Sequence, residues 1–536
     1  MAYAIGLDFG TASVRAVIVR AEDGAVMGSA GCDYRVYTTH PLTGAPLKPQ
    51  MALADPAEYL RAMETAVRGV MQQTGIAAEA ITAIGTDATS CSLVLLGADG
   101  QPLCTDETWR DSPHAWVKLW KSHSAEAEAQ QLQQAALARN EAFLQYVGGR
   151  VSCEWLLPKS LEIFHEAPEV FRAAQTVMDL TDYIPYALTG EITRNMGSWA
   201  FKAMAVDGEA PSAAYMEAAE AGFGALRAKL HGRVIRWGDR AGSLTAEMAA
   251  RLGLKAGIAV GCGMLDGNAP YVSLGMHMDG DLLLTLGTSG VLAMQASRVI
   301  PVRGIAGGAM DTFLPGFYGC EAGMSALGDL YNWAVKEILP ERWAALARQA
   351  GISPHEAVSP AALDRDPLPH DVMALDWWNG HRGPLPRSDV RGVMVGLSLD
   401  TRWEDIYRAL AESTAFCVRM NLENMERQRL HAGRIAVCGG IARKNPLLVQ
   451  LISDVLGREL HFSAKPFEAA VGAAILAVNA AETGDARTLE TTASRMTAPF
   501  DRTYTPNPAR TAAFDARYAR YVKLAELMQG FDLPTA

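Results

Sequence analysis

The stretch GIAVGCGMLDGNAP, Gly257 to Pro270, brings a short apolar run to a single carboxylate, Asp266, with no basic residue close by in sequence. An acid on a glycine-bounded loop can project into a cleft, and Gly267 lets substrate and backbone approach each other. From spacing alone two readings stay open. Asp266 caps a helix starting at Asn268 or Ala269, or it is a general base that takes the proton of an alcohol. Two other turns carry the residues for holding phosphate. FGTAS (Phe9–Ser13) and LGTSG (Leu286–Gly290) each set glycine and hydroxyls between apolar strands. Gly10 with Thr11 and Ser13, and Gly287 with Thr288 and Ser289, offer N–H groups and hydroxyls that can cradle phosphate oxygens. Asp8, at the end of the strand that enters the first turn, suits a hydrated Mg²⁺, which keeps most of its waters and needs few carboxylates. A third turn, Gly439–Gly440, follows the strand RIAVC and lets a flat ring or a phosphate lie on backbone, with Lys444 and Asn445 at the next helix start. One such turn alone is an ordinary hairpin; two on opposed halves would pinch a nucleoside triphosphate. No G-x-x-x-x-G-K-[ST] loop is present, nor a G-x-G-x-x-G with an acid about 20 residues on.

These turns need strands to hold them. Ala4–Leu7 and Val14–Val19 flank the first turn, and Ala25–Cys32 reads as a third strand, an antiparallel meander. In Asp55–Thr74 the residues Tyr59, Leu60, Met63, Ala66, Val67, Val70 and Met71 share one helical face. ITAIGTDATSCSLVLLGADG is again strand, turn, strand. Ser112–Glu220 reads mostly as helices with loops. The second hairpin, DLLLTLGTSGVLAMQ, repeats the scheme of the first about half a chain later, which points to two related halves. Strand, Gly-Gly turn and helix follow at Arg434–Gly457, then an Ala-rich helix, EAAVGAAILAVNAAETG, and a terminal helix over Pro508–Gln529. The expected boundary falls near residue 258, with no linker, so the halves should be closely joined.

The bulk properties bound the reading. The chain has 536 residues, 49% of them hydrophobic, and a net charge of -11. These describe a folded α/β protein with a large core and give no electrostatic reason for nucleic acid or an anionic membrane as partner. No run of about 18 apolar residues marks a membrane span, and the first residues lack the pattern of a signal peptide. The eight cysteines have no metal-type spacing. A reduced, cytoplasmic enzyme is the expectation.

Taken in order, IGLDFGTASVRAVI, GCGMLDGNAP, LLTLGTSGVL and VCGGIARKNPLLVQLISDVLG resemble the phosphate, catalytic, second phosphate and adenosine motifs of the FGGY carbohydrate kinases, and the resemblance covers nearly the whole chain. Within the family, LWKSHSAEAEA, GFYGCEAGMSALGDLYNW and ALDWWNGHRGP look most like the members that phosphorylate L-ribulose. The resemblance implies two ribonuclease-H-like, actin-like ATPase domains around a deep cleft, residues 1–258 and 259–536. It implies ATP and Mg²⁺ as cofactors and Asp266 as base. It also implies acceptor contacts from Ala88, Thr89, Trp120, Lys202, Asp266, Gly267 and Glu321. The expected reaction is ATP-dependent phosphorylation of a ketopentose, L-ribulose first, to its 5-phosphate. A kinase of D-ribulose, ribitol, D-xylulose or erythritol is the alternative, and a homodimer is compatible. A nucleotide-driven module of the actin or chaperone type is the rival from another class; it would have no use for Asp266, Lys202 and Glu321 together. The strand GTDATSCSLVLL departs from the pattern closer to GVDSTGST of the L-ribulose-phosphorylating members. His381 and Arg382 fit either a structural or a cleft-lining part.

Overall fold

In the computed structural model, which describes residues 1–287, 290–384, 387 and 390–530, the opening meander forms as its apolar runs and glycine-containing turns lead one to expect. Tyr3–Phe9 (β1) pairs antiparallel with Ser13–Arg20 (β2), and β2 with Val26–Asp33 (β3). Helix α1 (Pro56–Thr74) starts where Asp55 accepts from the N–H of Ala57 and ends at Gly75, whose φ of 65° closes the last turn. Its buried face holds Tyr59, Met63, Ala66, Val67 and Val70. The chain then returns as Ile81–Ala88 (β4), parallel to β1, with Asp8 beside Asp87 in register. Arg240–Ser243 (β5), Ala259–Gly261 (β6) and Met264–Leu265 (β7) complete this sheet, ordered β5-β6-β4-β1-β2-β3 with β7 also along β4.

The sheet therefore runs past the expected boundary. Residues 259–265 follow position 258, yet β6 and β7 pair parallel with β4. The apolar run after Gly257 is a strand that needs a partner on the first sheet. As a result Asp266 enters the cleft from the first half.

The second sheet repeats the plan. Leu282–Leu286 (β8) and Gly290–Ala296 (β9) form the second hairpin, and Gly307–Met310 (β10), Tyr318–Met324 (β11), Ile435–Cys438 (β12), Leu460–Phe462 (β13) and Arg502–Tyr504 (β14) extend it. The order is β10-β11-β9-β8-β12-β13-β14. As in the first half, a third antiparallel strand flanks the hairpin and a parallel strand lies on its other side. Between the two sheets runs the Ala-rich helix Glu468–Glu482. It lies so close that a Cβ on Gly6 of β1 would stand 1.8 Å from the Ala470 carbonyl oxygen, and one on Gly85 of β4 1.8 Å from that of Ala473. One apolar core joins Ala4, Ala83 and Met264 of the first half to Leu283 and Ala436 of the second. The middle of the chain folds as helices around a small sheet of Leu53–Ala54, Leu93–Leu96, Val117–Lys118 and Thr176–Asp179. The terminal helix spans Pro508–Gln529 as expected, capped by Asn507.

Candidate active site

Three neighbouring strands end on one side of the first sheet and deliver three acids: Asp8 from β1, Asp87 from β4 and Asp266 just beyond β7. The Asp266 N–H donates to the carbonyl of Ala88 at 3.0 Å. The Ala88 methyl itself lies in the core, so this residue serves the site through its backbone. The carboxylate of Asp266 accepts from the N–H of Gly267 at 2.7 Å. It caps no helix: the short helix Pro270–Ser273 begins after Ala269, with no side-chain cap.

Asp87 is fully buried, and neither of its oxygens has a protein donor. It lies within hydrogen-bond reach of Asp8; two carboxyl groups in that relation require a shared proton or a cation. Burial first, then Asp8, pushes Asp87 well above the usual carboxylate range. Burial likewise raises Asp8, against the pull of Asp87 and Arg15. Asp266 is raised to about 7, by burial and then by the charge of Asp8. At the equivalent places of the second hairpin stand Thr285 and Cys438, which face each other in register. The paired strand-end acids thus belong to the first sheet alone. Among the described residues no three side chains have the geometry to ligate a metal directly. Two hard carboxylates, one of them without a donor, do fit a hydrated Mg²⁺, which takes only one or two such ligands.

A second group converges from both sheets. Lys202 ends helix Met196–Lys202 and lies 3.3 Å from Glu321 Oε1 on β11, a residue 119 positions away. Burial works hardest against the Lys202 charge, but Glu321, with help from Cys91 and Glu154, raises the ammonium above its usual value. The other Glu321 oxygen accepts from Asn268 at 3.2 Å. Asn268 is buried, and its carbonyl oxygen has no donor. The Trp120 indole N–H donates to Thr11 Oγ1 at 3.0 Å, which ties the Trp120 loop to the first hairpin turn. The Thr89 N–H donates to the Phe9 carbonyl at 3.0 Å, and its hydroxyl is 3.4 Å from that of Ser92. In the strand that departs from the family pattern, Cys91 has a φ of 64°. That backbone is clamped from both sides: the Cys91 N–H donates to Asp179 at 2.6 Å, and its carbonyl accepts from the Lys159 ammonium at 2.7 Å. Lys159 also donates to the Leu119 carbonyl at 2.7 Å.

The turns expected to hold nucleotide leave backbone accessible in part. The Gly10 N–H donates to the Ser13 carbonyl at 3.0 Å, and a Cβ on Gly10 would meet nothing nearer than 3.6 Å. Gly287 accepts at its carbonyl from the N–H of Gly328; Thr288 and Ser289 lie outside the described residues. Gly439, with a φ of 100°, abuts the end of β8, where a Cβ would stand 2.4 Å from the Leu286 carbonyl. Gly440 faces open space. Lys444 is exposed at the end of the helical turn Gly440–Lys444. The Asn445 side chain, expected at the nucleotide, makes two bonds within the protein. Its oxygen caps helix Pro446–Leu456 through Leu448, and its amide donates to Ser359 at 3.0 Å.

Sequence reading missed Asp87, Asn268 and Lys159. Asp87 ends its strand as Asp8 does, and Asn268 stands two residues from Asp266, so both carried a signal. Lys159 sits in an apolar helical run with none.

Comparison with known proteins agrees with this architecture. The models of the N-terminal and C-terminal domains of the FGGY family of carbohydrate kinases match residues 3–272 and 282–481. A ribulokinase of Geobacillus thermodenitrificans is 35% identical, covering 97% of this chain and 94% of the relative. A ribulokinase of Mycolicibacterium smegmatis is 37% identical, covering 97% of this chain and 93% of the relative. The crystal structure of a xylulose kinase from Rhodospirillum rubrum superposes with a TM-score of 0.79 at 24% identity, covering 98% of this chain and all of that one, a likeness of fold. No helix among the described residues is long and apolar enough to cross a membrane. The chain belongs to the FGGY family of carbohydrate kinases, enzymes whose phosphate donor is ATP.

Proposed function

We propose that this kinase phosphorylates a 2-ketopentose, L-ribulose before others, at its terminal hydroxyl to give the 5-phosphate. The observation that carries the reading is Asp266 standing in the same loop as Asn268, whose partner Glu321 also binds Lys202. A proton acceptor and a polar, water-poor pocket for hydroxyls thus share one cleft. The relatives named ribulokinase, alike over nearly their full length, favour ribulose over xylulose as acceptor.

In this reading the sugar lies against Lys202, Glu321, Asn268, Trp120 and Thr89. Its free hydroxyl oxygen attacks the γ-phosphorus of ATP, the bond to the β,γ-bridging oxygen breaks, and ADP leaves. Asp266 takes the hydroxyl proton. Phosphoryl transfer needs positioning and charge stabilisation above all, which the turns at Gly10, Gly287 and Gly439–Gly440 provide through backbone. Asp8 and Asp87 would hold a hydrated Mg²⁺, which when bound neutralises phosphate charge. The test is ADP release with L-ribulose, D-ribulose, D-xylulose, ribitol, erythritol and glycerol. L-ribulose is expected to show the highest kcat/KM. A higher value for another acceptor moves the assignment to that sugar, and no turnover with any of them rejects the reading.

A further inference from the structure

The acceptor end of the cleft has a rim assembled from both halves. Glu154 Oε1 accepts from Arg382 Nη2 at 2.8 Å and stands 2.9 Å from His123 Nε2. His123 is on the loop of Trp120, three residues on. Arg382 comes from the second half, after Trp377 and Trp378, and its stem packs over β11: a Cβ on Gly323 would lie 3.5 Å from its Cδ. Gly323 is two residues from Glu321, so the Arg382 side chain runs along the face from which Glu321 projects. Glu154 therefore links the Trp120 loop to the strand of Glu321. The chain leading to Glu154 is tied to the second half by backbone as well. The Gly308 N–H donates to the Tyr146 carbonyl at 2.6 Å, and that of Gly304 to the Gly148 carbonyl at 3.3 Å.

The ion pair is partly exposed, its side chains 32% and 19% accessible, and pairs of that kind add little to stability. Its place matters more than its strength. Burial alone would raise the Glu154 carboxyl, yet Arg382 and His123 hold it well below the usual range, so the pair stays charged. Helix Met196–Lys202 packs on β10 of the second sheet by itself, whereas Trp120 comes from the first half and Glu321 from the second, and the Glu154 contacts span them at this rim.

We infer that Glu154 and Arg382 are a positioning pair for the acceptor, a latch that fixes the strap Tyr146–Glu154 and the His123 loop against β11 and so sets the distance at which Trp120 faces Glu321. The inference rests on the reading of this pocket as the sugar site. The experiment is a cycle of Glu154→Gln, Arg382→Gln and the double variant in the full-length protein. Hydrogen exchange is read over residues 143–154, and KM and kcat are measured for whichever acceptor the panel identifies. Each single variant is expected to melt within about 3 °C of the parent. Each should also exchange faster over the strap and raise the acceptor KM at least tenfold, with the KM for ATP changed less than twofold. The double variant should lose no more than the worse single one. Unchanged acceptor KM in Glu154→Gln, the milder change, or additive losses in the double, would overturn the latch. If the panel finds no acceptor, the sugar-kinase reading falls on that result alone, and unchanged exchange over 143–154 still overturns the latch independently.

Discussion

Asp266 and Asp87 differ in what their raised pKa values should do. Asp266 must be ionised to take a proton, and burial sets its midpoint at about 7. The expected kcat/KM falls tenfold per pH unit below about 7 and levels off above it; a limb near 4, the value of a solvated aspartate, would remove the assignment. Asp266→Asn should keep ATP binding and lose kcat by at least a thousandfold. Near-normal turnover would exclude it as the base. Asp87 is argued through stability. In the free protein it holds a proton at pH values where the unfolded chain has lost it, so the folded state binds more protons and stability falls as pH rises from about 4 toward the folded pKa. Asp87→Asn removes that loss. It should melt about 1–3 °C above the parent at pH 8, with a smaller gap at pH 5, while turnover drops at least a hundredfold. A lower melting point at pH 8 would show that Asp87 is not held against its preference for charge.

Individual elements divide into those that sequence pattern revealed and those it could not. The two hairpins were legible because apolar runs on either side of a Gly-Thr turn are local signals. So was α1, with Asp55 before it and Gly75 after. That the first sheet continues past residue 258 was not legible, because β6 and β7 have their partner in β4, more than 170 positions back in the chain. Chain order says nothing about a parallel strand's neighbour. The Lys202–Glu321 contact was hidden for the same reason; family likeness pointed to each residue as an acceptor contact but not to their pairing. The close seat of helix Glu468–Glu482 on β1 and β4 was also unreadable, since Gly6 and Gly85 look like any strand glycines. It makes a prediction for that element. Gly85→Ala must push the helix off the sheet, because its Cβ would stand 1.8 Å from the Ala473 carbonyl. A loss of about 3 kcal/mol or more is expected, seen as a melting point at least 5 °C lower. Gly440→Ala is the contrast. Its methyl enters open space, so the melting point should hold within about 1 °C, while the KM for ATP rises about tenfold if nucleotide lies on that turn. Equal effects on melting from both substitutions would refute the distinction.

At the scale of the whole molecule, a pocket whose walls come from two sheets behaves differently from one carved into a single domain. Glu321 is carried by β11 and Asn268 follows β7 of the first sheet, while Lys202 ends a helix that packs against both β7 and β10. A sugar that touches all three binds both halves at once, and every contact it makes stabilises their joined state. Ligand binding to the folded form alone adds about 2.7 kcal/mol at a hundred times Kd. A 2-ketopentose without nucleotide should therefore raise the melting temperature by several degrees and reduce the radius of gyration measured by X-ray scattering, as the halves close and exclude water from the γ-phosphate. The same closure predicts that ATP hydrolysis without acceptor is at least a hundredfold slower than transfer to the sugar. An actin- or chaperone-like ATPase would respond to nucleotide and ignore the ketose. A melting point that moves with ATP but not with any ketopentose or polyol would thus place the acceptor outside this cleft, whatever chemistry Asp266 retains.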